Sequence, residues 1–166
     1  MRSSKAVLLA IAAVCVALLG VALYLQLVKN MLPCPLCVAQ RYAFAAIAVC
    51  SLLAAVLPRL AQRLCIVLGL AAALGGVWYA GQHLQVLANP DMSCGTDPLE
   101  VALNKFFLSD WLPTVFKANG LCDTPYPPIL GLPIPGWAMV WFLIFAVALA
   151  LQLFAPRPRS IFGKLR

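Results

Sequence analysis

Pro33-Cys34-Pro35-Leu36-Cys37 stands directly between two uncharged or nearly uncharged stretches of membrane length, Ala6 to Val28 and roughly Cys37 to Leu57. Two more follow, Leu64 to Leu87 and roughly Gly136 to Ala155. Each is near the ~20 residues that cross ~30 Å of hydrocarbon as a helix. The 166 residues are 64% hydrophobic and 10% charged, whereas soluble domains carry about 25% charged residues. A soluble globule is excluded. The pattern predicts an all-α membrane protein, a four-transmembrane-helix bundle forming one integral membrane domain over 1–166, with spans about 6–28, 37–57, 64–87 and 136–155. No internal repeat is visible. The first span follows Arg2 and Lys5 as a signal-peptide core would, but it is far longer than the roughly 7 to 15 residues of such a core, so it reads as a retained helix.

The charges set the orientation, because basic residues collect on the cytoplasmic side of short loops. Arg2, Lys5, Arg59, Arg63, Arg157, Arg159, Lys164 and Arg166 fall on one side of the four spans. Lys29, Lys105 and Lys117 fall on the other, with Arg41 just inside the second span. Both termini are therefore expected in the cytoplasm. All five acids, Asp91, Asp97, Glu100, Asp110 and Asp123, lie in the long exterior segment between spans three and four. The net charge of +7 is thus a topology signal; no basic patch interleaved with aromatics points to nucleic acid.

The first exterior loop is very short, since Lys29-Asn30 ends span one and Met31-Leu32-Pro33 leads straight back to the bilayer. Cys34 then suits the N-cap of span two and Pro35 its first turn, where the missing N–H costs nothing. Pro58 to Arg63 makes an equally short cytoplasmic turn, so spans two and three should pack antiparallel, with Gly69, Gly75 and Gly76 giving span three a small-residue surface. The second exterior segment, about 88–135, holds eight of the thirteen prolines. Glu100 to Trp111 is expected to form one short helix with Leu103, Phe106, Phe107 and Trp111 at the membrane interface. Pro113 should break it, and Tyr126 to Pro135 reads as an extended approach to span four.

The seven cysteines divide by depth. Cys15, Cys50 and Cys65 lie within spans, where cysteine acts as a small buried hydrophobe. Cys34, Cys37, Cys94 and Cys122 lie on or near the exterior face, an even set of the kind that forms disulfides on the oxidising side of a membrane. A thiol at the N-terminal end of a helix feels the positive end of the macrodipole, which favours its thiolate. Cys34 and Cys37 are both so placed. Such a pair can exchange disulfides with water-borne proteins and pass electrons to a lipid-soluble carrier. Arg41, four residues after Cys37, shares its helical face. It can stabilise a Cys37 thiolate or donate to a carbonyl of a bound quinone; the competing reading is a side chain snorkelling to lipid phosphate. His83, the only histidine, is at the right height, but taken alone it reads more readily as a structural hydrogen bonder. Cys94 and Cys122 would close a ring worth roughly 3.5 kcal/mol as a structural staple; in a mobile loop they would equally suit attack by an incoming thiolate. Zinc is disfavoured, because its strong signature is two Cys-x-x-Cys pairs and the second pair here is widely split.

The ordered set closely resembles the DsbB family of bacterial inner-membrane disulfide-forming proteins. The resemblance runs over nearly the whole chain: Cys34-Pro35-Leu36-Cys37 followed by Gln40-Arg41, Gly81-Gln82-His83 closing span three, a cysteine pair in a long second exterior loop, and Gly131-Leu132-Pro133-Ile134-Pro135-Gly136-Trp137 before span four. It implies a quinone-dependent enzyme with a short and a long periplasmic loop, which reoxidises the periplasmic thiol oxidase DsbA and delivers electrons to ubiquinone or another membrane quinone. Carried over by position, Cys94 would form the mixed disulfide with DsbA, Cys122 would resolve it and exchange with Cys34, and Cys37 would face the quinone. Arg41 would support the quinone and the Cys37 thiolate, and His83 matches a histidine near the quinone pocket. No metal is implied, and a monomer is adequate.

A quinone also makes energetic sense. A partner poised at about −120 mV cannot hand electrons to a glutathione pool at about −180 to −210 mV without an uphill step of about 3 to 4 kcal/mol. Two other readings stay open on the residues alone: a membrane interaction subunit whose external disulfides only brace a loop, and a paralogue serving a different thiol partner.

Overall fold

Cys34 has extended backbone (φ −80°, ψ 167°), its sulfur accepts a hydrogen bond from Cys37 N, and Pro35 fills the first helical position. Helix α2, Pro35–Val56, begins there. In the computed structural model, which describes residues 2–89, 98–105, 107–118, 120–122 and 126–154, α2 is preceded by α1, Arg2–Lys29. Asn30, at φ 53°, ends α1 in the left-handed conformation that asparagine tolerates. Leu57 and Pro58 turn the chain into α3, Arg59–Ala88. Three short helices follow, α4 (Pro98–Asn104), α5 (Phe107–Trp111) and α6 (Pro113–Phe116), before α7, Ile134–Phe154. Helices α1, α2, α3 and α7 are each long and apolar enough to cross a membrane, and no strand occurs among the described residues. The expected all-α bundle is what forms.

Helix α1 packs on α2, α2 on α3, and α3 on α7. Burial ranks them: 56% of the apolar window of α2 is inside the protein, against 22 to 28% for the other three. The helix that begins with the cysteine pair is therefore the central one, and the others turn their leucines and valines to lipid. Because lipid is as apolar as leucine, close packing has to hold such helices together. Phe142 of α7 stacks on Phe44 of α2 at 4.1 Å, and Phe145 meets Phe44 edge-on. The ring of Phe142 lies where a Cβ of Gly76 would be, so only glycine fits beneath it. Gly69 brings Cys50 and Leu149 to ordinary contact, whereas Gly75 faces open space. Two of the three glycines expected at a helix contact serve there.

The expected helix from Glu100 to Trp111 is interrupted at Lys105. Asn104 is the cause. Its side chain pairs with the backbone of Ala118 in both directions, and its carbonyl accepts from Ser109 Oγ at 2.8 Å instead of continuing a helical ladder. Phe107 and Trp111 are exposed, Trp111 by 82%, as interfacial residues should be, and Leu103 is half-buried. Phe106 lies outside the described residues. Pro113 starts α6, whose Phe116 is buried against Tyr42 of α2 at 4.4 Å. The approach to α7 is also less extended than expected. Ile129 and Leu132 exchange both backbone hydrogen bonds around Leu130 (φ 53°) and Gly131 (φ 82°). A two-residue turn with positive φ at both centres needs a glycine or similar residue, and Gly131 supplies one of the two. Trp137 Nε1 locks it by donating to Ile129 O at 2.8 Å.

Candidate redox site

The N-cap that starts α2 also builds the site. With Cys34 at the cap and Cys37 in the first turn, the Cys34 Sγ donates to the Cys37 Sγ at 3.2 Å. Helix α3 returns antiparallel and brings His83 to the same height, its Nε2 3.8 Å from Cys34 Sγ and its Nδ1 3.8 Å from Cys37 Sγ. His83 is only 6% exposed and Cys34 only 2%, while Cys37 is half-buried.

The fourth neighbour comes from the long loop. Cys122 is buried in one cluster with Cys34, Leu36 and Val86, flanked by Cys37 and Tyr79. Its sulfur is a hydrogen-bonding neighbour of Cys34. Two contacts hold the loop there: Gly120 N donates to Pro33 O at 3.0 Å, and the Tyr126 hydroxyl donates to Leu32 O at 3.4 Å. Partial burial beside this cluster pushes the Tyr126 phenol up. Hydrogen bonding to Cys122 and Cys37, and then burial, push the Cys34 thiol up as well. Neighbouring sulfurs and burial thus oppose the pull of the helix N-terminus at Cys34, whose single thiol proton is donated to Cys37. In the dithiol protein near pH 7, a maleimide is therefore expected to modify the half-buried Cys37 well before Cys34; peptide mapping of a time course that found Cys34 labelled first would contradict this placement.

Arg41 lies one turn deeper and is buried, and its hydrogen bonds go to other partners. Its Nη1 donates to Gln26 Oε1 at 2.7 Å and to Val115 O at 2.9 Å, and its Nη2 to Ala22 O at 3.4 Å. One guanidinium thus ties α1, α2 and α6 together beneath the cysteine pair. Arg41→Met would leave the Gln26 and Val115 acceptors unpaired in an apolar setting, at a cost on the order of 2 kcal/mol. A lower thermal midpoint in detergent, partly restored by Arg41→Lys, is the expected result. A midpoint equal to that of the parent would show these bonds to be idle.

Of the residues singled out from sequence, Cys34, Cys37, His83 and Cys122 meet at one end of the bundle, Arg41 sits below them, and Cys94 lies outside the described residues. Sequence reasoning missed Gln26, Gly120 and Tyr126, each of which acts across a long stretch of chain. It named Gln40 as part of the family motif but gave it no role; this buried residue, three positions after Cys37, has an Nε2 with no hydrogen-bond partner among the described residues. A polar residue on the face next to Arg41 was the available signal.

The family model described as disulfide bond formation protein DsbB matches residues 4–152. Disulfide bond formation protein B of Herminiimonas arsenicoxydans is 50% identical over 149 residues, which is 90% of this chain and 94% of that one. The proteins of the same description from Ralstonia nicotianae and Burkholderia ambifaria are 46% and 44% identical, over 91% and 95% of this chain and 94% and 93% of theirs. A whole-length match of this kind joins the sulfur cluster to a known line of membrane proteins, and the chain belongs to the DsbB family of disulfide bond formation proteins.

Proposed function

We propose that this membrane oxidoreductase reoxidises a periplasmic thiol oxidase of the DsbA type and passes the electrons through two cysteine pairs to a membrane quinone. The observation that carries the reading is the position of the Cys34 sulfur, between Cys37 at 3.2 Å and the neighbouring Cys122. A sulfur with a thiol on either side can change disulfide partners without large movement.

The exchange balances as follows. The partner's two thiols reduce a Cys94–Cys122 disulfide and leave as a disulfide. The freed Cys122 thiolate attacks Cys34 of a Cys34–Cys37 disulfide, making a Cys34–Cys122 bond and releasing Cys37. Cys94 then attacks Cys122, which restores the Cys94–Cys122 disulfide and leaves Cys34 and Cys37 as thiols. His83 Nδ1, 3.8 Å from Cys37 Sγ, is placed to take and return the thiol proton.

The residues below the pair fit a quinone. Gln40 Nε2 is a buried donor without a partner among the described residues, a costly arrangement that a ring carbonyl oxygen would relieve. Arg41 makes three of the five donations a guanidinium allows, so two remain. Gln40 and Arg41 would hold the ring, with Cys37 facing it. A bound quinone supplies a two-electron, two-proton acceptor.

Basic residues of the α2–α3 turn and both termini belong on the cytoplasmic side by the positive-inside rule, which supports an inner-membrane location with the cysteines facing the periplasm. Mixing a reduced DsbA-type protein, the purified chain and ubiquinone should give quinone reduction that depends on its cysteines. Absence of that reduction, or labelling of Cys37 from the cytoplasmic side alone, would overturn the reading.

A further inference from the structure

We propose that the dithiol form of the site is also a binding site for a thiophilic d10 cation of the zinc class, held by Cys34 Sγ, Cys37 Sγ and one ring nitrogen of His83. This donor set differs from the paired Cys-x-x-Cys signature that the sequence lacks. It arises because α3 delivers a histidine to the N-cap of α2.

The geometry is close to that of a metal centre. Tetrahedral zinc, with bonds of about 2.3 Å to sulfur and about 2.0 Å to nitrogen, sets its ligand atoms roughly 3.6 to 3.8 Å apart. Here the two sulfurs are 3.2 Å apart, with Cys34 Sγ 3.8 Å from Nε2 of His83 and Cys37 Sγ 3.8 Å from its Nδ1, so each sulfur neighbours a different ring nitrogen. The three ligand atoms fall within 4.8 Å of one another. Closing both sulfurs onto one of the two nitrogens takes a side-chain adjustment on the order of 1 Å, within reach of a cysteine rotamer and a ring rotation. Cys122 neighbours Cys34 but is not one of the converging ligand atoms, so solvent or a fourth donor completes the shell, and the half-buried Cys37 gives an ion its way in. Burial of Cys34 and His83 keeps competing water away. Binding replaces the two thiol protons of Cys34 and Cys37 with one cation, so uptake releases protons and strengthens with pH. Joining the two sulfurs in a disulfide removes both ligands. The site thus exists in only one redox state, and an ion bound there would hold the enzyme in its dithiol form. That inhibitory consequence rests on the relay proposed above; the binding itself does not.

The test uses full-length protein in detergent, reduced with a phosphine, desalted without oxygen and titrated with Zn²⁺ against a chromogenic chelator. One Zn²⁺ per chain is expected, with about two protons released, and none after Cys34 and Cys37 are oxidised to a disulfide. His83→Ala should weaken uptake about tenfold or more. The unaltered chain supplies a second readout that does not depend on the variant's folding: Zn²⁺ should slow maleimide modification of Cys37 at least tenfold, reversed by chelator. Uptake that survives disulfide formation, uptake indifferent to His83 in a folded variant, or unprotected Cys37 would each overturn the site. Quinone reduction enters none of these measurements, so failure here and failure of the relay are separate results.

Discussion

Cys34→Ser is expected to lower thiol-driven quinone reduction by at least about a thousandfold while leaving the fold in place. The two effects separate because the residue has two unconnected duties. As an N-cap, its side chain accepts from Cys37 N, and serine is among the best residues for that role. Helix α2 should therefore start as before, and the thermal midpoint should change little. As a redox centre it has no substitute, since an oxygen cannot form the Cys34–Cys122 bond or the Cys34–Cys37 bond. Both exchange steps run through this one sulfur. The upstream step does not, so the variant should still accept electrons from a DsbA-type protein once, at the Cys94–Cys122 pair, and then stop. A single stoichiometric burst of partner oxidation without quinone reduction is the expected signature. Continued turnover would mean that Cys122 reaches Cys37 directly, and the order of the relay would have to be redrawn.

The parts of this machine that the sequence reveals are those written locally. Hydropathy alone marks four spans, because a bilayer demands about 20 apolar residues whatever the neighbours are. Proline after Cys34 marks the start of α2, because that position needs no N–H. The depth of His83 follows from counting along α3, yet its contact with both sulfurs does not. That contact depends on the short turn at Leu57 and Pro58, which fixes the register of α3 against α2. Arg41 is a sharper case. Its spacing from Cys37 suggested that it serves the thiolate, but Gln26 and Val115, distant in sequence and on either side in space, compete for the same guanidinium. Nothing in a helical periodicity announces a partner on another helix. The interruption at Lys105 was hidden for the same reason: Asn104 leaves its helix to pair with Ala118, and side-chain capture of backbone groups is what makes asparagine a poor helix former. Cys34 shows the limit for electrostatics: the family resemblance implies that Cys122 exchanges with it, but not that the Cys122 sulfur is buried in the same cluster and opposes the helix terminus.

The contacts that dock the second exterior loop on the first, which no local pattern announces, supply the other large effect. Gly120→Val should cut the rate of partner-driven electron transfer about a hundredfold without touching a cysteine. A Cβ at Gly120 would lie 2.5 Å from the Leu32 carbonyl oxygen and 2.9 Å from its carbon. These are backbone atoms that cannot rotate aside, so the loop must move away by on the order of 1 Å, and a misplacement of that size costs about 10²-fold where geometry controls a reaction. The movement breaks the Gly120 N to Pro33 O bond and carries off Cys122, two residues further on. The Cys34, Cys37 and His83 contacts belong to α2 and α3 and should survive. A small dithiol that reaches the half-buried Cys37 should therefore still drive quinone reduction in the variant at close to the parent rate. Gly120→Ala should fall between the two. Equal losses with the small dithiol and with the protein partner would place the damage in the bundle. An unchanged rate with both would show that docking of the second loop on the first does not govern the exchange between the cysteine pairs.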